Sequence, residues 1–195
     1  MYSYDLFFVL LVTAFITNGC CDSNTEATAV ALETSRQLRA PPALVQKIAD
    51  ELKAIRTAYP QVNNVVHSAP WVVGELIAEF SDAQFGRIPS EYGEVTSRIL
   101  FGEHKVLKFA EQYNPVVLAE ELTTKKLVNF AEPNSVIGGG DSIRYDSQTG
   151  VYEFTHGWGD CPSGCINRHY WKFSVSPSGV TLLSESGTPT VSDED

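Results

Sequence analysis

The chain has 195 residues, of which 43% are hydrophobic and 19% are charged, a composition that is ordinary for a globular protein and excludes intrinsic disorder. Its formal charge of −10 at pH 7 is spread along the chain without a basic stripe, which argues against binding to nucleic acid. The length suffices for one good-sized domain or two small ones.

The first element is an apolar run over residues 6–16. A run of this length is too short to cross a bilayer and fits the core of an export signal, with a buried core helix as the alternative. Gly19-Cys20-Cys21 follows and resembles the lipobox of bacterial lipoproteins. That resemblance implies a signal peptide over 1–19 and a lipid on Cys20, with cleavage by an ordinary signal peptidase as the alternative. We therefore expect an exported protein of the cell envelope, anchored to the membrane or secreted.

A spacer and an amphipathic helix are predicted next. Residues 20–40 are rich in Ser, Thr, Ala and Glu without an apolar period, which predicts a spacer, with a weak surface helix over 29–38 as the alternative. Pro41-Pro42 then opens a helix that ends at Tyr59-Pro60. Its pattern is typical of a helix that packs on a sheet. The apolar face consists of Leu44, Ile48, Leu52 and Ile55.

The following block predicts two strand and helix repeats in the order β-α-β-β-α-β. This order is the split βαβ arrangement of a ferredoxin-like α+β sandwich, in which both helices bury one face of the sheet. Ser81-Asp82 and Asn114 are the predicted helix caps, and residues 102–105 are the predicted hairpin turn. The predicted strands are 71–80, 95–101, 106–109 and one that begins over 127–130 and is closed by Pro133, and the predicted helices are 83–92 and 115–126.

Two of these strands resemble parts of a known family. Leu127-Val-Asn-Phe-Ala-Glu-Pro-Asn134 is similar to the closing strand of subtilisin-family propeptides, and Gly74-Glu-Leu-Ile-Ala-Glu-Phe80 is similar to their first strand. The resemblance covers residues 71–134, about a third of the chain. It implies a domain that inhibits a subtilisin-like protease by laying the tail after its last strand into the active cleft. The residues that the resemblance assigns to binding are Ala131, Glu132, Pro133 and Asn134.

A catalytic set is missing from the sequence. A subtilisin-like triad needs an aspartate before Ser/Thr-Gly, a histidine before Gly-Thr and a serine within Gly-Thr-Ser, whereas Asp141, His156 and Ser186 stand in other contexts. We therefore predict a non-enzymatic binding protein, and no catalytic residue or cofactor is assigned.

The remaining chain predicts a second, all-β module. Gly138-Gly139-Gly140 predicts a linker, because a phosphate cradle would need a helix after it and a strand follows instead. A four-stranded antiparallel meander is predicted beyond it. The predicted domains are 41–137 and 141–187, with an acidic tail over 188–195, and the meander strands are 142–145, 151–156, 169–175 and 180–184.

The loop between the second and third meander strands holds Cys161-Pro-Ser-Gly-Cys165. Pro and Gly favour a tight turn and export supplies oxidising conditions, so a disulfide is predicted. Free thiols and pairing with Cys20 or Cys21 are alternatives, and so are two functional sites. One is a tetrahedral zinc site formed by His156, Cys161, Cys165 and His169. The other is a thiol enzyme in which one cysteine is activated by His156 or His169 with Asp160.

Four residues at the loop tip are predicted to form an interaction surface. An aromatic side chain between glycines, such as Trp158, is a good interface anchor. The alternative function is therefore a structural or interaction protein of the cell envelope that uses this loop. The expected partners are a protein or extended peptide, a subtilisin-like protease among them, and the membrane through the N-terminal lipid. The four loop residues are Trp158, Asp160, Asn167 and Arg168.

Overall fold

Two four-stranded antiparallel sheets and the helices that cover them form an α+β fold, which the computed structural model describes over residues 23–190. The α+β class and the antiparallel meander are thus confirmed. The predicted signal peptide over 1–19, the lipidation of Cys20 and the last residues of the acidic tail lie outside the described residues. Within 23–190, no helix is both long and apolar enough to span a membrane.

The elements follow one another in a simple order. The helices are α1 (Ser23–Ser35), α2 (Pro42–Ala58), α3 (Asp82–Phe85), α4 (Ile88–Tyr92) and α5 (Pro115–Thr124). The strands are β1 (Trp71–Glu79), β2 (Val95–Phe101), β3 (His104–Phe109), β4 (Phe130–Ser135), β5 (Ser142–Asp146), β6 (Val151–Trp158), β7 (Asn167–Ser176) and β8 (Gly179–Gly187). Two 3₁₀ turns cover Pro60–Val62 and Cys161–Ser163.

The first sheet has the strand order β2-β3-β1-β4, and every neighbouring pair is antiparallel. Leu76 of β1 lies opposite Leu107 of β3 on the face that the helices cover. Because side chains alternate along a strand, this face collects the apolar residues of both strands. Leu118 and Leu122 of α5 complete the core beneath it.

The predicted helix over 83–92 is two short helices, α3 and α4. Pro89 explains the break, because a continuous helix would need its N–H and would bring its ring against the carbonyl of Phe85. Ser81 and Gln84 form a reciprocal capping box that fixes the start of α3.

Two strand boundaries also differ from the prediction. The hairpin between β2 and β3 turns on Gly102-Glu103 alone, since Phe101 pairs with His104, and the positive φ of Gly102 (53°) permits so tight a turn. The fourth strand is predicted to begin at Leu127 and to close at Pro133, whereas β4 begins at Phe130 and continues to Ser135, because Leu127 is buried in the connection from α5. Pro133 lies inside β4, which is tolerated because β4 is an edge strand.

The second sheet is the meander β5-β6-β7-β8. Tyr152 lies opposite Phe173, and Phe154 lies opposite Trp171, so these four rings share one face and are buried there.

The prediction of a spacer over 20–40 is wrong for residues 23–35, which form α1. Ala27, Val30 and Ala31 of this helix are buried in the core of the second sheet. Small alanine side chains give no apolar period, yet they let a helix approach its neighbours closely, and this is why the pattern is missed.

The helix α2 belongs to the second sheet, whereas the predicted domain 41–137 groups it with the first. Its buried residues Ile48, Leu52 and Ile55 lie in the same core as the meander rings. The first sheet is therefore inserted between two helices and the sheet that they cover.

Candidate functional site

The candidate site lies where β6 ends and β7 begins, at one end of the second sheet. A disulfide joins Cys161 to Cys165 across this loop, with the two Cα atoms 3.7 Å apart, which confirms the predicted bond. Because the two sulfurs are bonded to each other, neither cysteine is a thiolate ligand or a nucleophile. The zinc site and the thiol enzyme proposed for this loop therefore lack the thiolate that each of them needs. In the part of the chain that the structure describes, no group of three or more His, Cys, Asp and Glu residues could hold a metal ion.

The two histidines of the zinc hypothesis have other partners. His169 contacts the carbonyl of Thr188 (2.7 Å) and the carboxylate of Glu185 (3.0 Å) through its two ring nitrogens. Nδ1 of His156 lies 2.8 Å from Oδ1 of Asp141, and the ring stacks on Trp158 with centroids 5.2 Å apart. Both rings are therefore held by protein acceptors.

The triple glycine predicted as a linker packs against this loop. A Cβ atom on Gly157 would lie 2.3 Å from the carbonyl oxygen of Gly140 and 2.8 Å from Sγ of Cys165. A Cβ atom on Gly138 would contact the backbone of Pro162 at 3.7 Å. Glycine is required where these backbones approach one another, so the segment is a packed part of the site.

Asp141 ties three segments together directly after the glycines. Its Oδ1 accepts hydrogen bonds from Nδ1 of His156 and from the Gly157 amide (3.2 Å). Its Oδ2 accepts from the Val66 amide (3.4 Å), and its carbonyl accepts from the Ser68 amide (3.2 Å). Through these bonds Asp141 and His156 form a structural clamp that joins β6 to the segment before β1.

A partly buried polar network holds the segment before β1 in place for this clamp. Arg56 of α2 makes a bidentate ion pair with Glu26 of α1 (2.8 and 2.9 Å) and donates to the Val65 carbonyl. Nδ1 of His67 accepts from the Ile143 amide, so its ring hydrogen lies on Nε2 and is donated to Glu33 at 2.9 Å. Both helices of the second sheet thus position the loop that contacts Asp141.

The most exposed apolar side chain of the site precedes the glycines. Ile137 is 91% exposed, and Val136 beside it is 47% exposed. The chain is fixed on both sides of them, because the Val136 amide donates to the Pro70 carbonyl (3.0 Å) and Gly140 packs on Gly157. We call residues 135–140 the presented segment. The sequence signal for it is an apolar pair at the end of the predicted domain 41–137, directly before the three glycines that are predicted as a linker.

The four residues predicted at the loop tip are placed differently from one another. Trp158 ends β6 and pairs with Asn167 of β7. Arg168 donates to the Gly164 carbonyl (3.0 Å), and the Asp160 carbonyl accepts from the Cys165 amide (3.1 Å). The large exposed residue of this loop is Ile166, which is 77% exposed and was not predicted.

The residues that the propeptide resemblance assigns to binding lie inside β4 and not in a free tail. Ala131 pairs with Ala78, and Pro133 pairs with Leu76. Nδ2 of Asn134 donates to Glu75 (2.9 Å), which holds this residue to β1. Val136 is the first residue beyond the strand, so the free chain begins in the presented segment.

No protein-family model, curated protein or solved structure matches this chain in comparisons of sequence and of structure.

Proposed function

We propose that the chain is an exported, lipid-anchored, non-enzymatic protein that binds and inhibits a subtilisin-like protease through the presented segment. The observation that carries this proposal is that Ile137 is 91% exposed in a segment whose two ends are fixed. Such a segment loses little conformational entropy when it enters a cleft, and this favours tight binding.

The arrangement of the first sheet supports the same function. The order β2-β3-β1-β4 with antiparallel neighbours is the order of a ferredoxin-like split βαβ sandwich, if α3 and α4 together count as the first crossover and α5 as the second. We therefore propose this fold for residues 71–135. The presented segment follows its last strand directly, which is where the propeptide resemblance puts the peptide that occupies the cleft.

Inhibition assays on a panel of subtilisin-like proteases test this proposal. We expect saturable inhibition by the mature protein and a loss of about tenfold or more in affinity for Ile137→Asp, because a buried unpaired carboxylate would replace an apolar side chain. Leu183→Asp is the matched control, since Leu183 is an exposed apolar residue of β8.

Three outcomes would count against the proposal. These are a lack of inhibition by the mature protein, equal losses in the two variants, and rapid cleavage of the presented segment. The intact mass of protein from the membrane fraction tests the anchor, since a lipid mass on Cys20 is expected.

A second candidate function is an interaction protein of the cell envelope that uses the disulfide loop. Ile166 favours it, because this side chain is 77% exposed and packs over Gly159 next to Trp158. In this case Ile166→Asp abolishes capture of the partner while Ile137→Asp preserves it, and protease inhibition is absent. The opposite pattern of losses would return the function to the presented segment.

A further inference from the structure

The two sheets have four edges, and three of these carry a proline or a hydrogen bond that interrupts pairing with a further strand. On β4, Pro133 has no N–H to offer. On β5, the Tyr145 carbonyl accepts a hydrogen bond from the Thr34 hydroxyl of α1 (3.2 Å). On β8, the Leu182 amide donates to the Tyr59 hydroxyl (3.1 Å). Proteins protect strand edges in such ways against unwanted pairing.

The fourth edge is that of β2, and no such contact or proline occurs on it among residues 23–190. Every residue of β2 after Val95 is exposed, including Ile99 (74%) and Phe101 (62%). The strand pairs regularly with β3 from Val95 to Ile99, and the bulge in this ladder comes only after Ile99. Its outer side is thus a row of backbone donors and acceptors, flanked by apolar side chains, onto which another strand can pair.

The positive charge at this edge favours an acidic segment over a second copy of the chain as its binding partner. The hairpin over residues 95–109 contains Arg98, Lys105 and Lys108 against the single acid Glu103, and Lys108 is paired with Glu75 of β1 (3.4 Å), so the cation of β2 itself is Arg98. Arg98 is exposed, and it has no ion pair with any residue that the structure describes. A second copy of the chain would bring this positive edge against itself, whereas an acidic segment would complement it.

We propose that the outer edge of β2 binds an extended segment of a partner protein as an additional antiparallel strand, one in which acidic residues alternate with apolar ones. The backbone pairs along residues 95–99, an acid meets Arg98, and apolar side chains cover Ile99 and Phe101. This surface is separate from the presented segment, because β3 and β1 stand between β2 and β4. The inference is therefore independent of the proposed function.

Fluorescence anisotropy with two labelled peptides tests this site on the full mature protein. The probes are blocked peptides of four Val-Glu repeats and of four Val-Lys repeats, which share the strand propensity and differ in charge. We expect saturable binding of the Val-Glu peptide only. If the peptide adds as a strand, N-methylation of the residues on the edge that faces β2 abolishes binding, and N-methylation of the other edge does not. Binding that survives N-methylation of each edge in turn overturns strand addition.

Two substitutions with the same change in charge locate the site. Arg98→Glu is expected to weaken binding of the Val-Glu peptide by about tenfold or more. Arg144→Glu is expected to leave it unchanged, since Arg144 is an exposed residue of the edge strand β5. Equal weakening by both variants, or equal binding of the two peptides, would show a general charge effect and refute the site.

Sedimentation of the unliganded protein addresses the other occupant. We expect a monomer at concentrations up to those of the binding assay. A dimer that Ile99→Ser dissociates would mean that a second copy occupies β2, and it would overturn the proposal of a separate acidic partner.

Discussion

At the scale of single residues, Gly157 determines how closely the presented segment approaches the disulfide loop. A methyl group there would lie 2.3 Å from the Gly140 carbonyl oxygen, which is backbone and cannot rotate away. We expect Gly157→Ala to lower the free energy of unfolding by about 2 to 3 kcal/mol, because the two backbones must separate. Urea denaturation followed by circular dichroism measures this change.

Gly86→Ala provides the control for this substitution. A Cβ atom on Gly86 would make only an ordinary contact at 3.5 Å, and its φ of −58° suits any residue. We expect a change within about 1 kcal/mol of the native protein. If the two variants have the same stability, the close approach at Gly157 is not a constraint on the fold.

Tyr152 links α2 to the second sheet through a single hydrogen bond. Its hydroxyl donates to Oε2 of Glu51 (2.6 Å), and burial, together with this carboxylate, raises the pKa of Tyr152 well above its usual value. The folded protein therefore holds this proton more tightly than the unfolded chain does. The resulting stability is fully present below about pH 10, the usual pKa of tyrosine, and is lost as the pH rises through that value towards the raised pKa.

The substitution Tyr152→Phe tests this linkage. We expect it to lower the free energy of unfolding at pH 7 by about 1 to 2 kcal/mol and to make stability fall less steeply between about pH 9 and 11. Urea midpoints at several pH values measure both effects. Tyr170→Phe, on the partly exposed side of β7, is the control for loss of a hydroxyl from the same sheet. An unchanged slope in Tyr152→Phe would contradict the linkage.

At the scale of elements, Asn114 connects the two halves of the fold. Its Oδ1 caps α5 by accepting from the Val116 amide (3.0 Å), and its Nδ2 donates to the Leu32 carbonyl of α1 (3.1 Å). The side chain is buried, so its removal takes the cap from the Val116 amide and leaves the Leu32 carbonyl with only its bond from the Arg36 amide. We expect Asn114→Ala to cost about 2 to 3 kcal/mol in chemical denaturation.

Two further variants separate the cap from the connection. Asn114→Asp keeps the capping oxygen and loses the donor to Leu32, so an intermediate cost is expected. Ser81→Ala removes a cap from the exposed helix α3 and should cost about 1 kcal/mol or less. A cost for Asn114→Ala no larger than that for Ser81→Ala would mean that the contact with α1 contributes nothing.

The elements that could be predicted from the sequence are those with a local signal. The apolar period of α2, the alternation in the meander and the Asn114 cap each lie within a few residues, as does the disulfide between Cys161 and Cys165. The helix α1 was missed because residues 27–32 are buried in succession, half of them alanines, and so give no apolar period. The clamp between Asp141 and His156 was missed because its partners meet only after the chain has folded.

At the scale of the whole molecule, the order of the chain conceals which parts belong together. Tyr59 bonds to Leu182 across 123 residues, and Thr34 bonds to Tyr145 across 111 residues. The helices of the second core thus precede the first sheet in the chain, and the strands that these helices cover follow it. Periodicity describes each element but does not indicate its partner at such separations, so α2 was grouped with the nearer sheet.

This arrangement predicts that the second sheet needs the N-terminal helices in order to fold. Ser68 donates to the Asp141 carbonyl at 3.2 Å, so the two ends of the inserted sheet lie close together. A short Gly-Ser linker can therefore replace residues 69–137 and join 23–68 to 138–190. We expect this fusion to unfold cooperatively, because Trp171 and Phe173 remain covered by α1 and α2.

The fragment 138–190 alone is the comparison for this fusion. Without the helices, one face of its sheet exposes the rings that form the second core, and a sheet with an uncovered apolar face is not stable in water. We expect a red-shifted tryptophan emission and no cooperative transition for the fragment, against a blue-shifted emission for the fusion. The fusion should be less stable than the full chain, since it lacks the Asn114 contact with Leu32. A fragment that unfolds as cooperatively as the fusion would show that the meander folds by itself and that α1 and α2 only cover it.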